Sequence, residues 1–139
     1  MPIAAGINHI AMNTPSLERH FAFYESVLEA KKTFEMEKAD DHPRMWIYDL
    51  GGGSSFNVFE ADPETIVGDR RKAGGRGPID HFGIHLDSRA TLEQVKERIV
   101  AAGGDVGEIQ NLGGEWSLFF RDVDGMELEM LAPIADGEE

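Results

Sequence analysis

Cysteine is absent from the 139 residues, which excludes disulfides, thiolate metal ligation and a cysteine nucleophile. Positive charge is scarce: 13 Lys and Arg against 26 Asp and Glu leave a formal net charge of −13. A surface of that sign repels phosphates over most directions of approach, so nucleic acid is not an expected partner. Long apolar runs are missing as well. None approaches the roughly 20 residues that cross a bilayer, and no basic segment followed by an apolar one opens the chain. No membrane association is expected, and the cytoplasm is the expected compartment. What remains, with 41% hydrophobic and 28% charged residues, reads as one soluble globular domain over residues 1–139, long enough to bury its own core.

The chain repeats itself. Residues 7–12 read INHIAM and residues 79–84 read IDHFGI, which puts His9 and His81 at the same place in two copies 72 residues apart. The same offset carries Asn57, in SSFNVFE, onto Glu129, in GMELEML.

Each copy reads as a βαβββ module, with boundaries at about residues 5–62 and 78–133. In the first, strand 7–12 leads to a helix whose cap is Thr14 and whose first position is Pro15. Leu17, Phe21, Tyr24 and Leu28 form its apolar stripe. Strands follow at about 32–37, 45–50 and 54–60, with a turn at Gly51, Gly52 and Gly53. Residues 61–77, with Pro63, four glycines and the basic cluster Arg70, Arg71, Lys72 and Arg76, read as a linker or lid. In the second copy, strand 79–86 precedes a helix capped by Asp87 or Ser88. Leu92, Val95, Ile99 and Ala102 share one of its faces, and Gly103 and Gly104 stop it. Strands at about 106–110, 115–121 and 126–131 complete the module, with the last turn at Asp124 and Gly125.

Alternation along these strands decides which way the polar residues face. The positions flanking them are apolar, among them Ile10, Met12, Phe56, Val58, Phe82, Ile84, Leu128 and Met130, and must cover the helices. His9, Asn57, His81 and Glu129 therefore belong on the opposite, helix-free face. The fold class expected is α+β: curved mixed sheets enclosing a cavity in which two imidazoles and a carboxylate suit a divalent metal with open positions for water or substrate.

The sequence resembles the vicinal oxygen chelate superfamily, which groups glyoxalase I, fosfomycin-resistance proteins, bleomycin-resistance proteins and extradiol dioxygenases. The resemblance rests on NHIAMNTPSLERHFAFYESVLEA, DHFGIHL and FFRDVDGMELEML, and spans nearly the whole chain. It implies metal ligation by His9, His81 and Glu129, with Fe, Mn, Ni or Zn as the ion. It also implies a small substrate held through neighbouring oxygens, and a homodimer in which His9 meets the other chain's His81 and Glu129. Glyoxalase I carries a glutamate, its base, at the place of Asn57, and asparagine exchanges no proton at neutral pH. Extradiol dioxygenases usually carry a tyrosine where this chain has Phe119.

The expected function is thus a metal-dependent enzyme of lyase or isomerase type, with its general base unassigned. The alternatives are an Fe(II) ring-cleaving dioxygenase and a ligand-sequestering protein of the bleomycin-resistance kind. Asn57, His85, Arg71 and Arg76 are candidate substrate contacts, the two arginines as a clamp for an anionic group. His85 reads equally as a solvent-exposed histidine at the rim. Glu127 reads as a surface carboxylate before it reads as a base, and Trp46 and Tyr48 read as core packing first.

Overall fold

The computed structural model describes residues 1–66 and 77–138. Arg70, Arg71, Lys72 and Arg76, the expected anionic clamp, lie outside the described residues. The chain divides into two compact units on either side of that stretch.

In the first unit, β1 (His9–Thr14), α1 (Leu17–Leu28), β2 (Lys31–Met36), β3 (Met45–Gly51) and β4 (Ser54–Glu60) follow one another. The strand order is β1-β4-β3-β2, with β1 parallel to β4 and the other pairs antiparallel. The second unit repeats the plan with β5 (Phe82–His85), α2 (Arg89–Ala101), β6 (Asp105–Val106), β7 (Gln110–Leu112), β8 (Glu115–Arg121) and β9 (Glu127–Pro133). Its order is β5-β9-β8-β6, with β7 also paired to β8. The repeat holds at the level of strand register. Ala11 pairs with Asn57 and Gly83 with Glu129, and the pairings from Ile10 with Phe56 to Asn13 with Phe59 recur 72 residues later.

The cores lie between each sheet and its helix. Phe56 and Val58 in β4, and Leu128, Met130 and Ala132 in β9, are fully buried, as alternation requires of the helix-facing positions. Trp46 and Tyr48 are core residues, Tyr48 without exposed surface. Burial of each such side chain is worth about 1.5–3 kcal/mol, which makes these rows the main support of each unit.

Several local expectations are corrected. Ser16, not Thr14, caps α1, its hydroxyl accepting from the Arg19 N–H at 3.3 Å. Thr14 cannot serve because it still pairs in the ladder, opposite Glu60. Pro15 consequently precedes the helix. The buried stripe of α1 is Leu17, His20, Phe23, Tyr24 and Val27, while Phe21 and Leu28 are only half-buried. A histidine enters this core because its Nδ1 lies 3.1 Å from the Tyr48 hydroxyl and its ring packs on Tyr24. On α2, Leu92, Val95 and Ile99 are buried as expected, Ser88 is the cap, and Ala102 lies beyond the helix and is exposed. The expected strand at 106–110 is two short strands. Three residues between Val106 and Gln110 face two between Phe120 and Ser117, a bulge that interrupts the ladder.

Candidate metal centre

The residue before each repeated histidine holds its ring. The His9 Nδ1–H donates to Asn8 Oδ1 at 2.7 Å, and the His81 Nδ1–H donates to Asp80 Oδ2 at 2.8 Å. A neutral imidazole protonated at Nδ1 carries its lone pair at Nε2, the nitrogen His9 would offer a cation, whereas the His81 ring meets a carboxylate at each nitrogen, Asp80 at Nδ1 and Glu129 at Nε2. His81 precedes β5 by one residue and is half-buried, whereas His9 opens β1 and is exposed.

In the second unit, His81 and Glu129 come together. Nε2 of His81 lies 3.2 Å from Oε1 of Glu129, on the helix-free face of the sheet. Glu129 reaches that face because Leu128 and Met130 on either side of it are buried under α2. Its other oxygen, Oε2, accepts from the Ser117 hydroxyl at 2.6 Å. Phe119, the register partner of Glu129, sets its ring edge-on to His81 with centroids 5.1 Å apart. The carboxylate of Asp80 first, and that of Glu129 after it, pull the His81 imidazolium up from its ordinary value, against the opposing effect of partial burial.

The donor set fits a divalent ion. Nitrogen and oxygen donors bind zinc-like ions at about 2.0–2.2 Å, so two of them subtending 90–110° at one ion lie about 3.0–3.4 Å apart. The observed 3.2 Å falls inside that span. Asp80 behind His81 supplies the carboxylate–histidine arrangement that orients ligating imidazoles. Among the described residues no group of three or more His, Asp or Glu side chains is placed to hold an ion.

Asn57 and His9 share the helix-free face of the first sheet, since Ala11 pairs with Asn57 and His9 with Ser55. The Asn57 Oδ1 is buried and lacks a hydrogen-bond partner, an unusual state for an amide oxygen. His85, at the end of β5, is exposed. Glu127 pairs with Arg121 at 3.5 Å and is half-buried, not the surface carboxylate expected from the sequence. A groove of about 240 Å³ lies between Asp105, Val106 and Gly107 on one side and Phe119, Arg121 and Glu127 on the other. A larger hollow of about 710 Å³ runs between α2 and the β6–β7 bulge, away from the pair, and is walled by Lys96–Glu108 and other charged side chains.

Sequence reasoning did not single out Asn8, Asp80 or Ser117. The first two carried a signal, since a side-chain acceptor precedes the histidine in both copies. Ser117 carried none.

Two βαβββ units of the same strand order, with a histidine opening the first strand of one and closely preceding that of the other, and a carboxylate on the last strand of the second, define a paired-module α+β protein with metal-type donors. The model of the Glyoxalase/Bleomycin resistance protein/Dioxygenase superfamily matches residues 6–130, and the chain belongs to that superfamily. Among solved structures it is similar to a glyoxylase/bleomycin resistance protein/dioxygenase domain from Frankia sp. EAN1pec, at 24% identity over 94% of this chain and 99% of that one, with a TM-score of 0.81. It is similar to a glyoxalase family protein from Enterococcus faecalis, at 19% identity over 91% and 97% of the two chains, with a TM-score of 0.72. The fosfomycin resistance protein FosX from Listeria monocytogenes, in a mutant form complexed with Mn(II) and 1S,2S-dihydroxypropylphosphonic acid, matches at 18% identity over 96% and 94%, with a TM-score of 0.69. At these identities the likeness is one of fold.

Proposed function

We propose that this chain is a divalent-metal-dependent enzyme, glyoxalase-like and of lyase or isomerase type, acting on a small substrate that chelates through neighbouring oxygens. His81, Glu129 and His9 are the ligands in this reading, and Fe, Mn, Ni or Zn the ion. The observation that carries it is the 3.2 Å approach of His81 Nε2 to Glu129 Oε1, each held from behind by a second side chain. The complex of the Listeria FosX with Mn(II) and a dihydroxy phosphonate supports both the metal and the kind of substrate.

A divalent ion bound by these donors supplies Lewis acidity to a substrate oxygen. The protein's own residues set the rest. Phe119 shields one side of the His81 ring from water and carries no proton to give, which ranks acid-assisted ring cleavage lower. Asn57 is a substrate contact in this reading, and its amide exchanges no proton at neutral pH. The same reading includes a homodimer, with the partner copy completing each ligand set.

Elemental analysis of protein purified without chelator, beside His81→Ala and Glu129→Ala, tests the proposal. Near-stoichiometric metal in the parent and its loss in both variants is the expected result. A parent that takes up no metal after reconstitution overturns it in favour of ligand sequestration. Iron together with oxygen uptake on catechols would move the assignment to the dioxygenase.

A further inference from the structure

Ser117 is the exception in β8. The strand reads EWSLFFR, and its helix-free positions are Glu115, Ser117, Phe119 and Arg121, of which only Ser117 is small. It is also the one of these four that is wholly buried. A buried hydroxyl has no water to turn to and needs a partner within the fold. Here that partner is Glu129 Oε2 at 2.6 Å, the short separation expected when a hydroxyl donates to an ionised carboxylate.

The two oxygens of Glu129 are thereby divided. Oε2 is taken by Ser117 and Oε1 faces His81 Nε2. Without the hydroxyl, the terminal torsion of a glutamate is broad, and its carboxylate can meet a cation through one oxygen or through both. The geometry points to Ser117 as a positioning residue that ties down Oε2, so that Glu129 offers Oε1 alone to the cation and one more coordination position stays open for water or substrate. This inference rests on the metal reading above. It places the control of ligand geometry on β8, a strand that carries no ligand itself.

The register explains why a serine can do this. Ser117 lies opposite Leu131 and Phe119 opposite Glu129, so Ser117 and Glu129 are diagonal neighbours on one face, within reach of a one-carbon side chain. A longer residue at 117 would occupy the space the carboxylate needs.

The test uses the whole chain as wild type, Ser117→Ala and Ser117→Thr, each titrated with Mn(II) and with Zn(II) by calorimetry. Water-proton relaxation of the Mn(II) forms reports the number of open positions. Ser117→Ala is expected to fold, to bind Mn(II) about ten- to a hundredfold more weakly, and to hold fewer exchangeable waters as both carboxylate oxygens engage. Ser117→Thr keeps the hydroxyl and is expected to stay within about threefold of wild type, a smaller loss than a displaced orienting residue causes. If the threonine methyl prevents folding, the alanine comparison decides alone through its dissociation constant and relaxation. A changed melting temperature of the metal-free protein with unchanged Mn(II) affinity and hydration would make Ser117 merely structural and overturn the inference. Failure of the wild type to bind either ion overturns the metal reading itself, whereas equal tight binding by wild type and Ser117→Ala overturns only the role of Ser117.

Discussion

At the scale of single residues, the candidate centre is a matter of which atoms are already engaged. Asp80 occupies Nδ1 of His81, and exchanging its carboxylate for an amide keeps the shape while weakening the hold on the ring. Asp80→Asn is expected to weaken metal binding about tenfold, within the range for residues behind a ligand, with the fold intact by circular dichroism. Away from the centre, the buried hydroxyl of Tyr48 meets His20 Nδ1, and Tyr48→Phe is expected to lower stability by about 1 kcal/mol in urea denaturation. His9 and His81 were legible in the sequence because a duplicated motif marks them twice. Ser117 was not, since a serine among large strand residues looks the same whether it satisfies a carboxylate or fills a gap.

At the scale of elements, caps and ion pairs set the edges. Ser16 and Ser88 each accept from the N–H three residues on, and Ser16→Ala or Ser88→Ala is expected to cost about 1 kcal/mol, visible as a lowered melting temperature. Arg44 of the first unit binds both Glu18 on α1 and Glu60 on β4, and its guanidinium lies 5.0 Å from the Trp46 ring centroid. The hydrogen bond from Arg44 holds the Glu18 carboxyl below the usual carboxylate range. A lowered carboxylate value contributes stability that is present above the ordinary value and lost as pH falls through the lowered one. Arg44→Met is therefore expected to cost more at pH 7 than at pH 3, and because Glu18 is well exposed the electrostatic part is at most about 1 kcal/mol. Thermal melts at the two pH values check the difference. The sequence showed where α1 and α2 run but misplaced the cap of α1. Thr14 and Ser16 are equally good caps in isolation, and only the pairing of Thr14 opposite Glu60 removes it from contention. The interrupted β6–β7 edge was likewise illegible, because a bulge is decided by the partner strand rather than by the residues that bulge.

At the scale of the whole molecule, the repeat makes a claim about His9. If both modules serve one metal, His9→Ala reduces bound metal about as far as His81→Ala does, although His9 is exposed and its loss leaves the first unit's core untouched. Equal metal content in His9→Ala and wild type would remove His9 from the ligand set. Sedimentation at micromolar concentration checks the expected homodimer, and a monomer there would count against a ligand set shared between copies. Among the described residues no helix is long and apolar enough to cross a membrane. The sequence by itself determined the two-module plan and the repetition of its element order at a 72-residue offset, and it set the expectation that His9, Asn57, His81 and Glu129 share the helix-free face. Each of these follows from local alternation and internal likeness, which a linear chain displays openly. Tertiary structure alone decided that Glu129 turns one oxygen to His81 and the other to Ser117, and that Asn57 Oδ1 is buried without a partner. Those facts depend on residues from different strands meeting at a particular register, and no single stretch of sequence encodes a distance between two others.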